Sequence, residues 1–190
     1  MIKINNRKKM GARIILLYGK QNEGKTTRLL EIFDELNKLK TVMAGFAAPG
    51  VWHNGQKTGY NLLVLPTRNL LPLASIIPDQ NPVQHGRFFF NQATIDHGNQ
   101  LILNAIKTKP AMFFIDEIGR FELESHIWHD SFRLITHIKN MTLIVGVREQ
   151  YLAGVKEKFK LQKTTDFHIS TDIKIIIKCM QKLASLGNQD

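Results

Sequence analysis

The stretch LLYGKQNEGKTT, residues 16–27, determines how the rest of the chain is interpreted. Its apolar run stops at Gly19, and after four intervening residues come Gly24, Lys25 and Thr26. The spacing Gly-x-x-x-x-Gly-Lys-Thr is that of the phosphate-binding loop, whose backbone N–H groups surround phosphate oxygens. The motif is meaningful only where it follows a buried strand and opens a helix.

Both flanking elements are predicted here. Residues 12–18, ARIILLY, are mostly apolar and partly β-branched, which favours a buried strand that ends at the first glycine of the loop. Residues 25–40 predict a helix, because apolar side chains recur there at helical spacing. These side chains are Leu29, Ile32, Phe33, Leu36 and Leu39.

The loop is therefore predicted to bind a nucleotide through its phosphates. A glycine at position 24 allows the backbone to approach phosphate closely, and the helix start adds partial positive charge. Lys25 is expected to reach the β and γ phosphates, and the Thr26 hydroxyl to bind Mg²⁺. The predicted nucleotide-binding residues are Gly19, Lys20, Gln21, Asn22, Glu23, Gly24, Lys25, Thr26 and Thr27.

A second anchor for Mg²⁺ is predicted in MFFIDEIG, residues 112–119. Apolar residues precede Asp116 and Glu117, which end a predicted strand at the edge where open α/β sheets bind ligands. Asp116 is expected to hold the metal directly or through water, and Glu117 to orient or deprotonate a water. The alternative is a solvated acidic turn, but the upstream loop favours the catalytic interpretation.

Arg148 follows another apolar strand, predicted at 141–147, and in a parallel sheet it lies on the same edge as Asp116. It is a candidate for stabilising charge at the γ-phosphate, as an arginine supplied in cis. A surface arginine at a helix start is the alternative, and the residues alone do not separate the two. Arg87 and Arg120 are weaker candidates for the same role.

The remaining chain alternates predicted strands and helices, which indicates an α/β fold with a mostly parallel sheet flanked by helices. Asn54-Gly55 predicts an inserted antiparallel hairpin, and the prolines within 66–86 predict an irregular connection. One domain is expected over 1–190, with 1–10 a flexible or edge segment. Further strands are predicted at 41–48, 86–90, 111–116 and 166–170. Further helices are predicted at 93–107, capped by Asn91, at 128–139 and at 150–159. The last helix is predicted to begin at Thr171 or Asp172 and to end near Gly187.

Composition limits the possible classes of protein. Apolar residues make up 43% of the chain, yet no apolar run approaches the roughly 20 residues of a membrane span. The first apolar run ends in the glycine loop rather than in a cleavage site, so a cytoplasmic protein is expected. The single Cys179 excludes an internal disulfide. A net charge of +10 suits a polyphosphate ligand; nucleic-acid binding is possible but not favoured, and no protein partner is identifiable.

Two further side-chain groups have a structural explanation that we favour. His126 and His129 share a predicted helix face that would suit a metal, but an amphipathic helix with solvent-facing histidines explains them more simply. The predicted hairpin carries side chains that would stack on a nucleobase, although ordinary hairpin packing is favoured. These side chains are Trp52, His53, Lys57 and Tyr60.

Together these motifs resemble the small P-loop nucleoside-triphosphatases of the THEP type. The resemblance implies a RecA-like α/β fold and slow, Mg²⁺-dependent hydrolysis of ATP, GTP and other nucleoside triphosphates. The sequences that carry it are GKQNEGKTT at 19–27, GF at 45–46, GQKTGY at 55–60, LPLA at 71–74, GRFFF at 86–90, FFIDEIGRFEL at 113–123 and LIVGVRE at 143–149.

The resemblance also implies roles for individual residues. Asp116 and Glu117 fall at the acidic-strand positions of the family, and Glu122 at its further acidic position. The chain departs from the family pattern in two places. Acidic residues and an arginine are common after Gly-Phe, where residues 48–52 are APGVW, and Lys57 stands where an arginine is usual.

The predicted function is Mg²⁺-dependent hydrolysis of nucleoside triphosphates with relaxed base preference, with Glu117, Lys25 and Arg148 as the catalytic residues. A signalling GTPase is disfavoured, because no Asn/Thr-Lys-x-Asp motif is present to recognise guanine. Two alternatives stay open. One is a P-loop kinase for a small metabolite, although 66–86 lacks an arginine-rich lid; the other is a nucleotide-dependent binding module that contacts RNA or a protein.

Overall fold

A computed structural model describes residues 12–78 and 82–185, so the predicted segment 1–10 lies outside the described residues. Ten strands in this part of the chain form one mixed sheet. They are β1 (Arg13–Gly19), β2 (Met43–Ala47), β3 (Gly50–His53), β4 (Gln56–Leu65), β5 (Leu70–Ser75), β6 (Pro82–His85), β7 (Phe88–Asn91), β8 (Met112–Ile118), β9 (Thr142–Arg148) and β10 (Thr164–His168). Their order across the sheet is β10-β1-β9-β8-β2-β4-β5-β7-β6, with β3 paired to β4.

One half of the sheet, β10-β1-β9-β8-β2, consists of parallel strands, and we call it the parallel half. Strands β1, β8 and β9 are buried along most of their length, as their continuous apolar runs predict. The register pairs Gly19 with Arg148, and Ile115 with Val145. The end of β1, Asp116 and Arg148 therefore lie at the same edge.

Helices cover both faces of the parallel half. On one face, Phe33 and Met180 pack with Ile15, and on the other face Ile102 packs in the cluster that contains Leu16. The predicted α/β fold with a parallel sheet flanked by helices is therefore confirmed. The helices are α1 (Lys25–Asn37), α2 (Gln92–Thr108), α3 (Arg120–Leu123), α4 (His129–Ile135), α5 (Leu152–Lys158) and α6 (Ile173–Ser185).

The predicted helix starts carry side-chain caps. The Asn91 side chain accepts a hydrogen bond from the Thr94 N–H at 2.9 Å, and Asp172 accepts one from the Lys174 N–H at 2.8 Å. Helices α4 and α5 are shorter than predicted, and a 3-10 turn at Glu149–Tyr151 precedes α5. The predicted end of α6 near Gly187 falls beyond the residues described. No helix in the described part of the chain has both the length and the apolar character needed to cross a membrane.

The other half of the sheet, β3 to β7, consists of antiparallel strands, and we call it the antiparallel half. Its first two strands form the predicted hairpin, whose turn residues Asn54 and Gly55 have φ angles of 48° and 73°. Positive φ at both positions is the conformation that makes Asn-Gly a hairpin signal. The antiparallel part extends beyond this hairpin to β5, β6 and β7.

The predicted irregular connection at 66–86 is wrong, because this segment contains β5 and β6. The prolines occupy positions that a sheet tolerates. Pro66 lies in the turn after β4, and Pro82 is the first residue of β6. Within β5, strand β7 pairs with Ala74 and Ser75, so the side of β5 that faces β7 is unpaired at Pro72. Proline is tolerated in a sheet where a strand lacks a partner on one side.

Candidate nucleotide-binding and catalytic site

The loop between β1 and α1 has the strand–loop–helix context predicted for it. Asn22 and Gly24 have φ angles of 59° and 94°, which lets the backbone curl before the helix begins. The Glu23 carboxylate accepts a hydrogen bond from the Lys20 N–H at 2.6 Å and so closes the loop from within. A Cβ at Gly19 would lie 2.9 Å from that carboxylate, so the glycine allows the close approach.

Lys25 places its ammonium group inside this loop. Its Nζ donates a hydrogen bond to the Lys20 carbonyl at 2.7 Å and lies 3.8 Å from Glu117 Oε2. The side chain is only 5% exposed. A buried lysine with these two partners presents a fixed positive charge between the loop and the acidic end of β8.

Asp116 and Thr26 form a set of oxygen ligands beside Lys25. The Thr26 hydroxyl and the Ala48 N–H both donate to Asp116 Oδ2, at 2.6 and 3.2 Å. Asp116 is 1% exposed, and its Oδ1 has no hydrogen-bond partner among the described residues. Burial raises the pKa of the carboxyl group, while the Thr26 hydroxyl opposes that rise. A buried carboxylate oxygen without a partner, next to a hydroxyl, fits a hard divalent cation.

Gly146 on β9 makes room for this carboxylate. A Cβ at position 146 would lie 2.6 Å from Asp116 Oδ1, closer than such contacts occur in proteins. The neighbouring strand therefore leaves open the space into which the unpartnered oxygen points.

Glu117 lies between the side chains of Lys25 and Arg148, two residues predicted to be catalytic. Its Oε1 lies 2.6 Å from Arg148 Nε, and its Oε2 lies 3.8 Å from Lys25 Nζ. Burial raises the pKa of the carboxyl group, and the Arg148 guanidinium opposes that rise. Arg148 thus lies beside Glu117, the acidic side chain with which it forms an ion pair, and its side chain is 25% exposed.

The weaker arginine candidates lie outside this group. Arg120 forms an exposed ion pair with Glu124 at 2.8 Å. Arg87 donates to the Lys57 carbonyl at 3.0 Å and stacks on Phe88, so it supports the hairpin. Neither arginine contacts the residues that surround Lys25.

His126 and His129, for which a solvent-facing helix is favoured over a metal site, have different partners. The ring of His126 faces that of His85, with 4.5 Å between centroids, whereas the ring of His129 packs on Phe159. No group of three or more His, Cys, Asp or Glu side chains suited to a metal occurs in 12–78 and 82–185.

Two residues near the site make contacts that the sequence did not indicate. Lys57, from the hairpin, donates from Nζ to Asn22 Oδ1 in the phosphate-binding loop at 2.9 Å. Glu122 is 2% exposed and accepts a hydrogen bond from the Gly119 N–H at 2.8 Å, and burial raises its pKa to about 8. Two signals were available for Lys57: it is a cation among the hairpin aromatic residues, and it stands where the family usually has an arginine. For Glu122 the signal was its acidic position shared with the family.

A cleft lies on the other flank of the loop, beside β10. Its volume is about 370 Å³, and its walls include Thr27, Glu31, His168 and Ser170. The Arg28 side chain donates to the Ile169 carbonyl at 3.0 Å and so ties α1 to this wall. The cleft and the carboxylates of β8 are therefore on opposite sides of the loop.

A buried strand, a glycine loop that opens a helix and an acidic residue on a nearby strand define a P-loop nucleotide-binding protein. A family model described as NTPase matches residues 14–174. The chain belongs to this NTPase family, and the predicted THEP-type membership and hydrolase class are confirmed.

Similar proteins carry consistent names. The chain is 24% identical over 155 residues to the nucleoside-triphosphatase THEP1 of Archaeoglobus fulgidus, covering 77% of this chain and 86% of that protein. It is 32% identical over 112 residues to the THEP1 protein of Sulfurisphaera tokodaii, covering 57% of this chain and 62% of that protein. The crystal structure of THEP1 from Aquifex aeolicus superposes with a TM-score of 0.67 and 22% identity, covering 93% and 99% of the two chains, which shows a shared fold.

Proposed function

We propose that this protein hydrolyses nucleoside triphosphates to diphosphate and phosphate in the cytoplasm, with Mg²⁺ and with little preference for the base. The observation that carries the proposal is the convergence of Lys25, Asp116, Glu117 and Arg148 at one edge of the sheet. These groups come from three separate segments, and each has the chemistry that phosphoryl transfer to water requires.

The phosphates bind along the loop in this proposal. Backbone N–H groups between Gly19 and Thr27 surround the phosphate oxygens, and the N-terminus of α1 favours negative charge there. The buried Lys25 ammonium contacts the β and γ phosphates. The position of Lys25 next to Glu117 supports a γ-phosphate bound beside the carboxylate that we propose acts on water.

Asp116 and Thr26 would hold Mg²⁺. The free Oδ1 of Asp116 and the Thr26 hydroxyl are the kind of oxygen ligands that this ion prefers. When bound, the ion neutralises charge on the β and γ oxygens. Asp116 then no longer bears an uncompensated buried charge.

Glu117 acts on the attacking water, and Arg148 acts together with it. The partly buried Glu117 has a raised pKa, which makes it a better proton acceptor than an exposed glutamate. Arg148 holds Oε1 of Glu117, so that Oε2 stays on the side of Lys25. In this proposal the same guanidinium stabilises negative charge that develops at the γ-phosphate.

The cleft beside β10 would accept the nucleoside. It lies on the far side of the loop from the carboxylates, as the end of the nucleotide opposite the γ-phosphate must. Its polar lining includes both donors and acceptors, and the sequence contains no Asn/Thr-Lys-x-Asp motif for guanine. ATP and GTP are therefore expected to be hydrolysed at rates within about tenfold of each other, or roughly 1.4 kcal/mol.

The test is phosphate release from ATP, GTP, CTP and UTP with Mg²⁺, by wild type and by Glu117→Gln. The amide keeps the size of the side chain but cannot accept a proton, so hydrolysis should fall by about 10²–10⁴-fold while nucleotide binding persists. The matched control is Glu124→Gln, an exposed acidic residue nearby, which should hydrolyse at the wild-type rate.

Two results would contradict the proposal. Wild-type hydrolysis by Glu117→Gln would remove this carboxylate from the mechanism. Absence of phosphate release by the wild type, with nucleotide still bound in calorimetry, would favour the kinase or the binding module instead.

A further inference from the structure

The hairpin of β3 and β4 brings a third cation to the phosphate-binding loop. Lys57 lies 35 residues after Asn22 in the sequence, and its Nζ donates to Asn22 Oδ1 at 2.9 Å. Lys25 approaches from α1 and Arg148 from β9, so three separate elements supply the positive charges around one loop. Of these three cations, Lys57 is the one that comes from the antiparallel half of the sheet.

The position of Lys57 is determined by local packing. Its Nζ lies 5.0 Å from the centre of the Trp52 ring and 4.9 Å from that of Tyr60, a cation–π arrangement on both rings. A Cβ at Gly50 would lie 2.8 Å from Lys57 Cε, so the glycine leaves space for the lysine stem. The Arg87 side chain donates to the Lys57 carbonyl at 3.0 Å and steadies the backbone.

The ammonium group of Lys57 makes no direct contact with a carboxylate among the described residues. Lys25 and Arg148 both form ion pairs with Glu117, whereas Lys57 forms no ion pair with a carboxylate in the described ranges. Its contact in the loop is the neutral amide of Asn22. Burial lowers the pKa of its ammonium group, and repulsion from Arg148 and Lys25 lowers it further, while Glu117 and Asp116 oppose that fall. An anion between these cations would relieve that repulsion.

The charged neighbours of Lys57 indicate which phosphate of a nucleotide would bind next to it. The charged groups that act on it are Arg148, Glu117, Lys25 and Asp116, which are the residues of the reacting end of the site. The cleft beside β10 lies on the other flank of the loop. A phosphate next to Lys57 is therefore the terminal one, not the phosphate attached to the ribose.

We propose that Lys57 binds the terminal phosphate of a nucleoside triphosphate, exchanging Asn22 Oδ1 for a phosphate oxygen, so that the hairpin distinguishes triphosphate from diphosphate. This inference uses the substrate class given under the proposed function but does not depend on hydrolysis. Trp52 stays next to Lys57 and reports the exchange, since its indole is 52% exposed.

The test compares two ligands in the presence of Mg²⁺, ADP and the non-hydrolysable β,γ-imido analogue of ATP. Calorimetry gives the dissociation constants for wild type, Lys57→Gln and Lys57→Arg. Lys57→Gln should weaken binding of the analogue by about 10–100-fold, the range for a lost charge-assisted hydrogen bond, and binding of ADP by less than threefold. Lys57→Arg should restore most of the affinity, because it keeps the charge.

Trp52 fluorescence supplies an independent readout. The analogue should change the emission of the wild type more than ADP does, and the difference should disappear in Lys57→Gln and in Trp52→Phe. Trp128 is 3% exposed and should contribute a constant background. The control Lys38→Gln removes an exposed lysine that follows the end of α1 and should leave both affinities unchanged.

Several outcomes would overturn the inference. Equal weakening of ADP and the analogue would place Lys57 on an inner phosphate, and unchanged affinities would remove it from the site. A Lys57→Arg variant as weak as Lys57→Gln would indicate a packing role. A wild type that binds both nucleotides but does not hydrolyse ATP would contradict only the proposed hydrolysis, whereas one that binds neither would contradict both proposals.

Discussion

The two halves of the sheet contribute to the site in different ways. In the parallel half, strands β1, β8 and β9 are buried along most of their length, and their register brings Gly19, Asp116 and Arg148 to one edge. In the antiparallel half, β3 is exposed along most of its length and reaches the site through one side chain of its partner strand, Lys57. The parallel half therefore links catalytic geometry to the stability of the core. Strand β3 can be altered with little effect on that core.

The largest effect is expected from Arg148→Ala in the parallel half. An arginine that stabilises transition-state charge contributes about 10³–10⁵-fold in rate, and this one also holds Glu117. Turnover should fall by that factor while ADP binding changes little, which single-turnover kinetics and calorimetry would measure. Arg133→Ala, at an exposed arginine of α4, is the control. If Arg148→Ala lost less turnover than Lys57→Gln, the antiparallel half would contribute more to catalysis than the parallel half, contrary to the comparison drawn above.

A pair of truncations compares the stabilities of the halves directly. Phe114 on β8 is fully buried and packs edge-on against Phe33 at 5.2 Å, so Phe114→Ala should cost about 3–5 kcal/mol. Trp52 on β3 is half-exposed, and Trp52→Ala should cost no more than about 0.5 kcal/mol. Urea denaturation of both variants measures the free energy of unfolding. Similar losses would show that the hairpin is part of the cooperative core.

The smallest effect is the pH dependence of the free energy of unfolding, which depends on Glu122 in the turn that follows β8 in the parallel half. The folded pKa of Glu122 is about 8, above the ordinary value of 4.5, so the native state retains a proton that the unfolded chain loses. The free energy of unfolding should therefore fall as pH rises from about 4.5 to 8, by roughly 1–3 kcal/mol if local opening of the short α3 relieves part of the cost.

Glu122→Gln should remove this slope, because the amide does not titrate. Urea denaturation at several pH values, with the exposed Glu124→Gln as control, would detect the change. Parallel stability curves for wild type and Glu122→Gln would show that Glu122 titrates normally.

The residues of the parallel half were largely predictable from sequence, because their signals are local. A continuous apolar run followed by Gly-x-x-x-x-Gly-Lys-Thr specifies strand, loop and helix together, and an acidic pair after MFFI marks a strand end. Asn54-Gly55 likewise predicted the hairpin turn from two residues. The link between Arg148 and Glu117 required only that their strands be neighbours in a parallel sheet.

The rest depended on contacts that no local pattern records. Strands β5 and β6 are not predictable from their sequence, because prolines usually interrupt strands, and the unpaired side of β5 at Pro72 is visible only once the strand order is known. The contact of Lys57 with Asn22 requires that β4 lie beside β2, which depends on the whole sheet. Burial of Glu122 depends on the fold of the turn that follows it.

Gly146 shows how a residue without a functional group can limit what evolution is able to change. Gly146 lies on β9 directly beside the free oxygen of Asp116. A methyl group at position 146 would lie 2.6 Å from that oxygen. A substitution at 146 would leave the strand ladder intact but force the carboxylate to rotate. Positions 116 and 146 are therefore expected to vary together across descendants of this sequence. A designer who replaces the carboxylate at position 116 has to begin with the neighbouring strand β9.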